Sequence, residues 1–278
     1  MESTPSRAAV FFGTVGRALC YLLAFIVAQA IATGAYLLAG TLYLRYNPGA
    51  FPTPNDLVFA CADQISLLSG LLLLILLIAF FLLRYKNPLR ESGLRATHGR
   101  FVFTAIAITP LLYAAIAYLM NFLPEAWLNT YIEASSVYNQ SSVLMIVGTV
   151  IVTPIVEEMV FRGLILSRLR RALPGWLSVV ITALLFSACH IQITWMLYAF
   201  VLGLFFGFIS LRSNSIWPSL CAHLLFNGIG QLAVYLPGTP TAVSLFYLGL
   251  LGAGAVMCVA VFLFRLICPL KRRNTAAT

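Results

Sequence analysis

The sequence predicts an all-α polytopic membrane protein of about eight transmembrane helices packed as one bundle, and three observations predict it. Of 278 residues, 61% are apolar and only 9% are charged, whereas a soluble domain carries roughly 25% charged residues. The mean hydropathy is +0.96. A helix needs ~20 apolar residues to cross a bilayer, and eight such runs occur, at about 18–44, 57–83, 101–123, 142–168, 175–192, 194–211, 216–236 and 242–267. Finally, lysine and arginine fall in alternate links between these runs, the pattern that sets membrane orientation.

The first run is too long for a signal peptide and lacks a clear cleavage site, so it is read as the first span. Arg7 and Arg17 precede it. The second run is followed by Arg84, Lys86, Arg90, Arg95 and Arg100. After the third, the link from Pro124 to Ser142 holds Trp127, Tyr131 and Tyr138, aromatic residues suited to an interfacial segment on the outer side. Arg168, Arg170 and Arg171 follow the fourth run, and Arg212 follows the sixth. The fifth and sixth form a tight hairpin, with Gly203 and Gly207 placed for a close helix contact. Arg265, Lys271, Arg272 and Arg273 end the chain.

With eight spans, all these cations share one side. The other side holds Arg45 together with Asp56, Glu125 and Glu133. Both termini are therefore expected to be cytoplasmic, and the setting expected is a bacterial plasma membrane. The formal charge of +9 reads as topology, with no nucleic acid as partner. Cys20, Cys61, Cys189, Cys221, Cys258 and Cys268 are scattered without zinc-ribbon or CxxC spacing and read as small apolar packers. Residues 1–278 read as one membrane domain without internal repeat.

The informative residues are the polar ones inside the runs. Glu157, Glu158 and Arg162 lie in the fourth, flanked by Val, Ile, Met and Phe. Each charge at mid-membrane costs ~2.5–3.5 kcal/mol on insertion scales, so such groups must pair or line a polar cavity. Glu158 and Arg162 are four apart and pair on one helix face. Glu157 lies about 100° round the helix and has no partner within it. His190 ends Phe186-Ser-Ala-Cys-His190 in the fifth run, and His223 opens His223-Leu-Leu-Phe-Asn227 in the seventh. Each set puts two residues four apart, hence on one face. Taken singly, each His or Asn is best explained as interhelical hydrogen-bonding. Together they place ionisable groups on three helices, at depths that helix tilt can bring to one level.

These residue types suit hydrolysis by activated water. A glutamate without a partner in its own helix serves as general base, an imidazole from His190 shares the water, and His223 with Asn227 donates to an oxyanion. No Ser-His-Asp arrangement, G-x-S-x-G turn or H-E-x-x-H is visible.

Glu157-Glu158-x-x-x-Arg162, Phe186-x-x-x-His190 and His223-x-x-x-Asn227, in that order, resemble the three motifs of the CPBP family, which comprises type II CAAX prenyl endopeptidases and bacteriocin-processing or immunity proteins. The companions Phe161-Arg162-Gly163 and Ser215-Ile216-Trp217-Pro218-Ser219 resemble it too. The resemblance covers about 143–230, the expected catalytic core. It implies an eight-helix endopeptidase with an active-site cavity inside the bundle. Glu157 and His190 would activate water, His223 and Asn227 would stabilise the intermediate, and Glu158, Arg162 and Phe186 would support the site. The implied substrate is a membrane-embedded or lipidated peptide or protein in the lipid bilayer.

The reaction is expected to need no cofactor, because pairing of Glu158 with Arg162 leaves less negative charge to hold a divalent ion. The alternative is one zinc on Glu157, His190 and His223 with water in the fourth position. Two other readings use the same residues: a non-catalytic immunity or regulatory protein of the same fold, and a proton-coupled transporter.

Overall fold

The computed structural model describes residues 7–47, 62–136, 142–236 and 239–267. Cys61, Cys268, Asp56, Tyr138, Lys271, Arg272 and Arg273 lie outside the described residues. The order is α1 (Arg7–Tyr46), α2 (Ala62–Leu83), a short α3 (Pro88–Glu91), α4 (Gly99–Met120), α5 (Glu125–Ser136), α6 (Val143–Leu169), α7 (Gly175–Ala188), α8 (Ile193–Ser213), α9 (Trp217–Ala233) and α10 (Pro240–Ile267). The described residues form no strand. The fold is an all-α polytopic membrane protein.

Each of the eight apolar runs becomes a helix, but they are not equal. Five described helices are long and apolar enough to span a membrane: α1, α4, α6, α8 and α10. Helix α2 has 22 residues, whereas α7 has only 14. At ~1.5 Å per residue α7 is only ~21 Å long. The structure thus supports five spans by length and does not establish eight.

The 27 residues of α6 are not a uniform α-helix. Ser142 caps its start, its side chain accepting from the Met145 N–H at 3.0 Å. Val147–Val152 and Glu158–Leu166 are wound as π-helix, around an α-helical turn at Thr153–Glu157. Pro154 supplies no N–H to the ladder, and just before it the Thr153 N–H reaches back five residues to the Gly148 carbonyl. Wide turns of this kind recur at functional sites because they re-aim side chains. All residues from Glu158 to Leu166 are buried.

The core has two parts. One joins α1, α2, α6 and α7 through Phe25, Leu73, Phe161 and Phe186, and the other joins α4, α8 and α9 through Ala105, Phe206 and Phe226. The hairpin of α7 and α8 packs closely, as the two glycines suggest. A Cβ at Gly203 would stand 2.9 Å from Ala183 Cβ, and one at Gly207 would stand 3.0 Å from Val179 Cγ1. Among the described residues Cys20, Cys189, Cys221 and Cys258 are free thiols.

The links that follow α2, α6 and α8 meet at one end of the bundle. Arg168 pairs with Glu91 at 3.4 Å, and Arg170 donates to Asn214 Oδ1 at 2.7 Å. The Ser215 hydroxyl donates to the Arg95 carbonyl at 2.6 Å, and the Ile216 N–H donates to the Gly93 carbonyl at 3.0 Å. These are the Arg-rich links that charge placement assigns to one side. At the opposite end α5 lies over the α7–α8 link. There the Thr194 hydroxyl donates to the Trp127 carbonyl at 3.2 Å, and Gln192 Nε2 donates to the Thr130 hydroxyl at 3.4 Å.

Candidate active site

The π-helical stretch of α6 presents Glu158 and Arg162 to the seam between the two core halves. Arg162 Nη1 donates to Glu158 Oε1 at 2.8 Å, with both side chains fully buried. Phe186 of α7 and Phe206 of α8 sandwich the guanidinium, which stands 4.3 Å and 5.2 Å from their ring centroids. Such rings attract a cation through their negative faces, most strongly where water is excluded. The pair expected from i,i+4 spacing therefore forms inside an aromatic box. Arg162 Nε and Nη2 have no hydrogen-bond partner among the described residues. Arg162 also borders a small cavity of about 30 Å³, lined in addition by Arg95, Ser210 and Asn214.

His223 enters from α9. Its Nδ1 lies 3.0 Å from Glu158 Oε1. An ionised carboxylate only accepts, so Nδ1 donates there and the ring is fixed. Nε2 then faces Glu157 Oε2 at 3.6 Å. The imidazole is held between the two adjacent carboxylates, with its ring 4.9 Å from Phe206 and 6.0 Å from Phe186. Ser219, one turn before His223, also faces Glu158. The cross-helix partner of Glu157 is thus His223, a pairing that spacing along the chain did not indicate.

His190 sits where α7 ends. Its Nδ1 lies 2.9 Å from the Phe186 carbonyl, and its ring is 4.8 Å from that of Phe186. The neighbouring Cys189 is within electrostatic reach of Glu157, so the end of α7 borders the same space. Ile191 follows with a left-handed φ of 60°. The Gln192 N–H closes a three-residue turn onto the His190 carbonyl at 2.6 Å. That conformation is strained for a β-branched residue. Ile191 is 88% exposed, so side-chain packing does not account for it.

Asn227, one turn past His223, donates through Nδ2 to the Thr149 carbonyl of α6 at 2.9 Å. Thr149 lies in the first π-helical segment, where a carbonyl can be turned outward from the ladder. Asn227 thereby ties α9 to α6, and its second amide hydrogen and its oxygen are not used in that contact. The structure brings Glu157, Glu158, Arg162, Phe186 and His223 together, ties Asn227 to α6, and sets His190 at the rim against Phe186.

Sequence reading missed Phe206, Thr149 and Ile191 as parts of the site, and had Ser219 only as a companion of the third motif. Phe206 had one usable signal, its place between the two glycines that let α8 approach α7. The others act through a tertiary contact or a backbone angle, and neither is written in spacing.

No three His, Cys, Asp or Glu side chains among the described residues are grouped to hold a metal ion. His223 Nδ1 is engaged by Glu158, and Nε2 is the ring nitrogen that faces Glu157.

Gly163 supports the site from behind. A Cβ there would run into the Ser92 carbonyl, backbone that has no room to yield, because Gly93 beside it holds a φ of 83°. Gly163→Ala is expected to destabilise the fold by about 1–3 kcal/mol, the usual cost of overpacking, and to disturb the adjacent Arg162. Thermal unfolding in detergent is the measurement, and an unchanged midpoint would contradict the close approach.

Residues 139–229 match the family model described as "Type II CAAX prenyl endopeptidase Rce1-like". A Bacillus subtilis (strain 168) protein described as "Putative membrane peptidase YdiL" is 32% identical over 88 residues, which are 32% of this chain and 36% of that relative. The chain thus matches about a third of the length of that curated relative. No solved structure matches the chain.

Proposed function

We propose that this chain, whose motif-bearing residues 139–229 match the Rce1-like family model, is an intramembrane endopeptidase of the CPBP family. The observation that carries the reading is the placement of His223 between Glu157 and Glu158, at 3.6 Å and 3.0 Å. An arginine-neutralised carboxylate holds the imidazole, and the other carboxylate stays partly exposed beside it.

Glu157 acts as general base. It takes a proton from water while the oxygen adds to the scissile carbonyl carbon, and the carbonyl π pair moves onto oxygen. The second Asn227 amide hydrogen stabilises that oxyanion together with His223, which acts as the imidazolium, its Nδ1–H given to Glu158 and its Nε2–H to the oxyanion. Collapse expels the amine, which takes the proton held by Glu157, so the step balances. His190 orients the water from the rim. Glu158, Arg162 and Phe186 keep His223 in place.

In this reading the side chains activate water without a metal. The catalytic core is residues 143–230, and the substrate is a membrane-embedded or lipidated peptide reached from the bilayer. The Arg-rich end faces the cytoplasm of a bacterial plasma membrane. The positive-inside pattern and the meeting of three Arg-rich links at one end support that orientation.

The test is purified protein in liposomes with membrane-anchored reporter peptides, with and without a prenyl group, and products identified by mass spectrometry. Cleavage at one peptide bond is expected for the wild type. Binding of such peptides without cleavage would instead favour a non-catalytic partner.

A further inference from the structure

At the Arg-rich end, away from the carboxylates, a cleft of about 420 Å³ opens between α1, α2, α3 and the end of α6. Arg17, Arg84, Lys86 and Arg168 line it, and Glu91 is its acidic residue. Glu91 is engaged by Arg168 at 3.4 Å, so the other three cations have no carboxylate in the lining. The remaining wall is apolar, formed mainly by Tyr21, Phe80 and Phe81.

The backbone builds this arrangement. α2 ends in a tight turn at Tyr85, which has a left-handed φ of 53°. The Arg84 and Lys86 N–H groups both return to the Phe81 carbonyl, at 3.2 Å and 2.9 Å. The turn brings both cations to the cleft, with the Arg84 guanidinium 5.7 Å from the Phe80 centroid. Tyr85 itself is 99% exposed, as a residue at headgroup level would be.

Like charges gathered in a concavity with apolar walls focus a positive potential and draw an anion. A free anion would leave the phenyl wall unused. An amphiphile uses both surfaces, and the cleft lies where an apolar helix gives way to its basic flank. We propose that this cleft binds one anionic glycerophospholipid. Its headgroup phosphate rests on Arg17, Arg84 and Lys86, and the start of its acyl chains lies against Tyr21, Phe80 and Phe81. Arg168 gives the site a link to α6, because a phosphate there competes with Glu91 for the cation at the end of that helix.

The test uses the full chain in an uncharged detergent. Thermal unfolding is followed during titration with dihexanoyl phosphatidylglycerol, dihexanoyl phosphatidylcholine or inorganic phosphate. Phosphatidylglycerol is expected to raise the midpoint saturably, and the other two are expected to leave it unchanged at the same concentrations. In the double variant R84Q/K86Q, whose residues are exposed, half-saturation should move about thirty-fold higher, from the worth of two basic residues at a lipid surface. R212Q, at the same end but outside the cleft, should match the wild type. Equal shifts in R84Q/K86Q and wild type would overturn the site. Equal shifts with phosphatidylcholine would overturn its charge selectivity, and a shift with inorganic phosphate alone would make it a free-anion site.

Discussion

Glu157→Gln is expected to lower turnover by about 10²–10⁴-fold, the usual contribution of a positioned general base, while leaving the protein folded and substrate affinity unchanged. The substitution keeps the shape of the side chain and removes its capacity to take a proton. His190→Ala should also abolish turnover without unfolding the protein. His223→Ala should cost as much as Glu157→Gln, because Nε2 faces Glu157 Oε2 at 3.6 Å. The double variant E157Q/H223A should then be little worse than either single change, since residues that act as a unit are not additive. Steady-state cleavage of a membrane-anchored peptide separates kcat from KM. Wild-type turnover in Glu157→Gln would remove this carboxylate from the chemistry.

Arg162→Ala is expected to have the largest effect on stability. The guanidinium neutralises Glu158 at 2.8 Å in a fully buried setting. Removing one partner of a buried pair leaves an uncompensated charge and costs about 3–5 kcal/mol. Loss of contact with Phe186 and Phe206 adds to this, because the guanidinium fills the space between the rings. His223 remains hydrogen-bonded to Glu158 at 3.0 Å and offsets part of the loss. Replacing both charges together, as E158Q/R162M, should recover much of the stability, because exchanging a buried pair for neutral groups of similar volume is often near neutral. Activity should stay low in both variants, since Glu158 loses the cation that positions it in the first and His223 loses its ionic anchor in the second. Thermal unfolding in detergent reads the first effect and peptide cleavage the second. Equal midpoints for Arg162→Ala and wild type would contradict the pairing.

What the sequence could show depended on range. The Glu158–Arg162 pair was legible because helix geometry alone makes residues four apart neighbours, and the structure forms it. The glycines at Gly203 and Gly207 were legible for a similar reason, since a missing side chain on one face predicts close approach. The Arg-rich links could be assigned to one end because charge placement is a global constraint on the chain. The partner of Glu157 was not legible. His190 and His223 are equivalent in composition, and only the relative positions of α7 and α9 decide that His223 reaches both carboxylates. The π-helical winding of α6 was also hidden. Pro154 marks a missing N–H, but how far the ladder widens around it depends on packing against α2 and α9. The Ile191 turn runs against the local preference of a β-branched residue, so no propensity argument would find it.

The central claim is that side chains, with Glu157 foremost, activate the water. The most direct test is peptide cleavage by purified protein titrated with a strong chelator, with Glu157→Gln as the blank and metal content measured on the same sample. Wild-type activity is expected to persist throughout the titration, with metal well below one equivalent and no cleavage by Glu157→Gln. About one zinc per chain, with activity lost to the chelator and restored by added zinc, would contradict the account and make Glu157 a metal ligand.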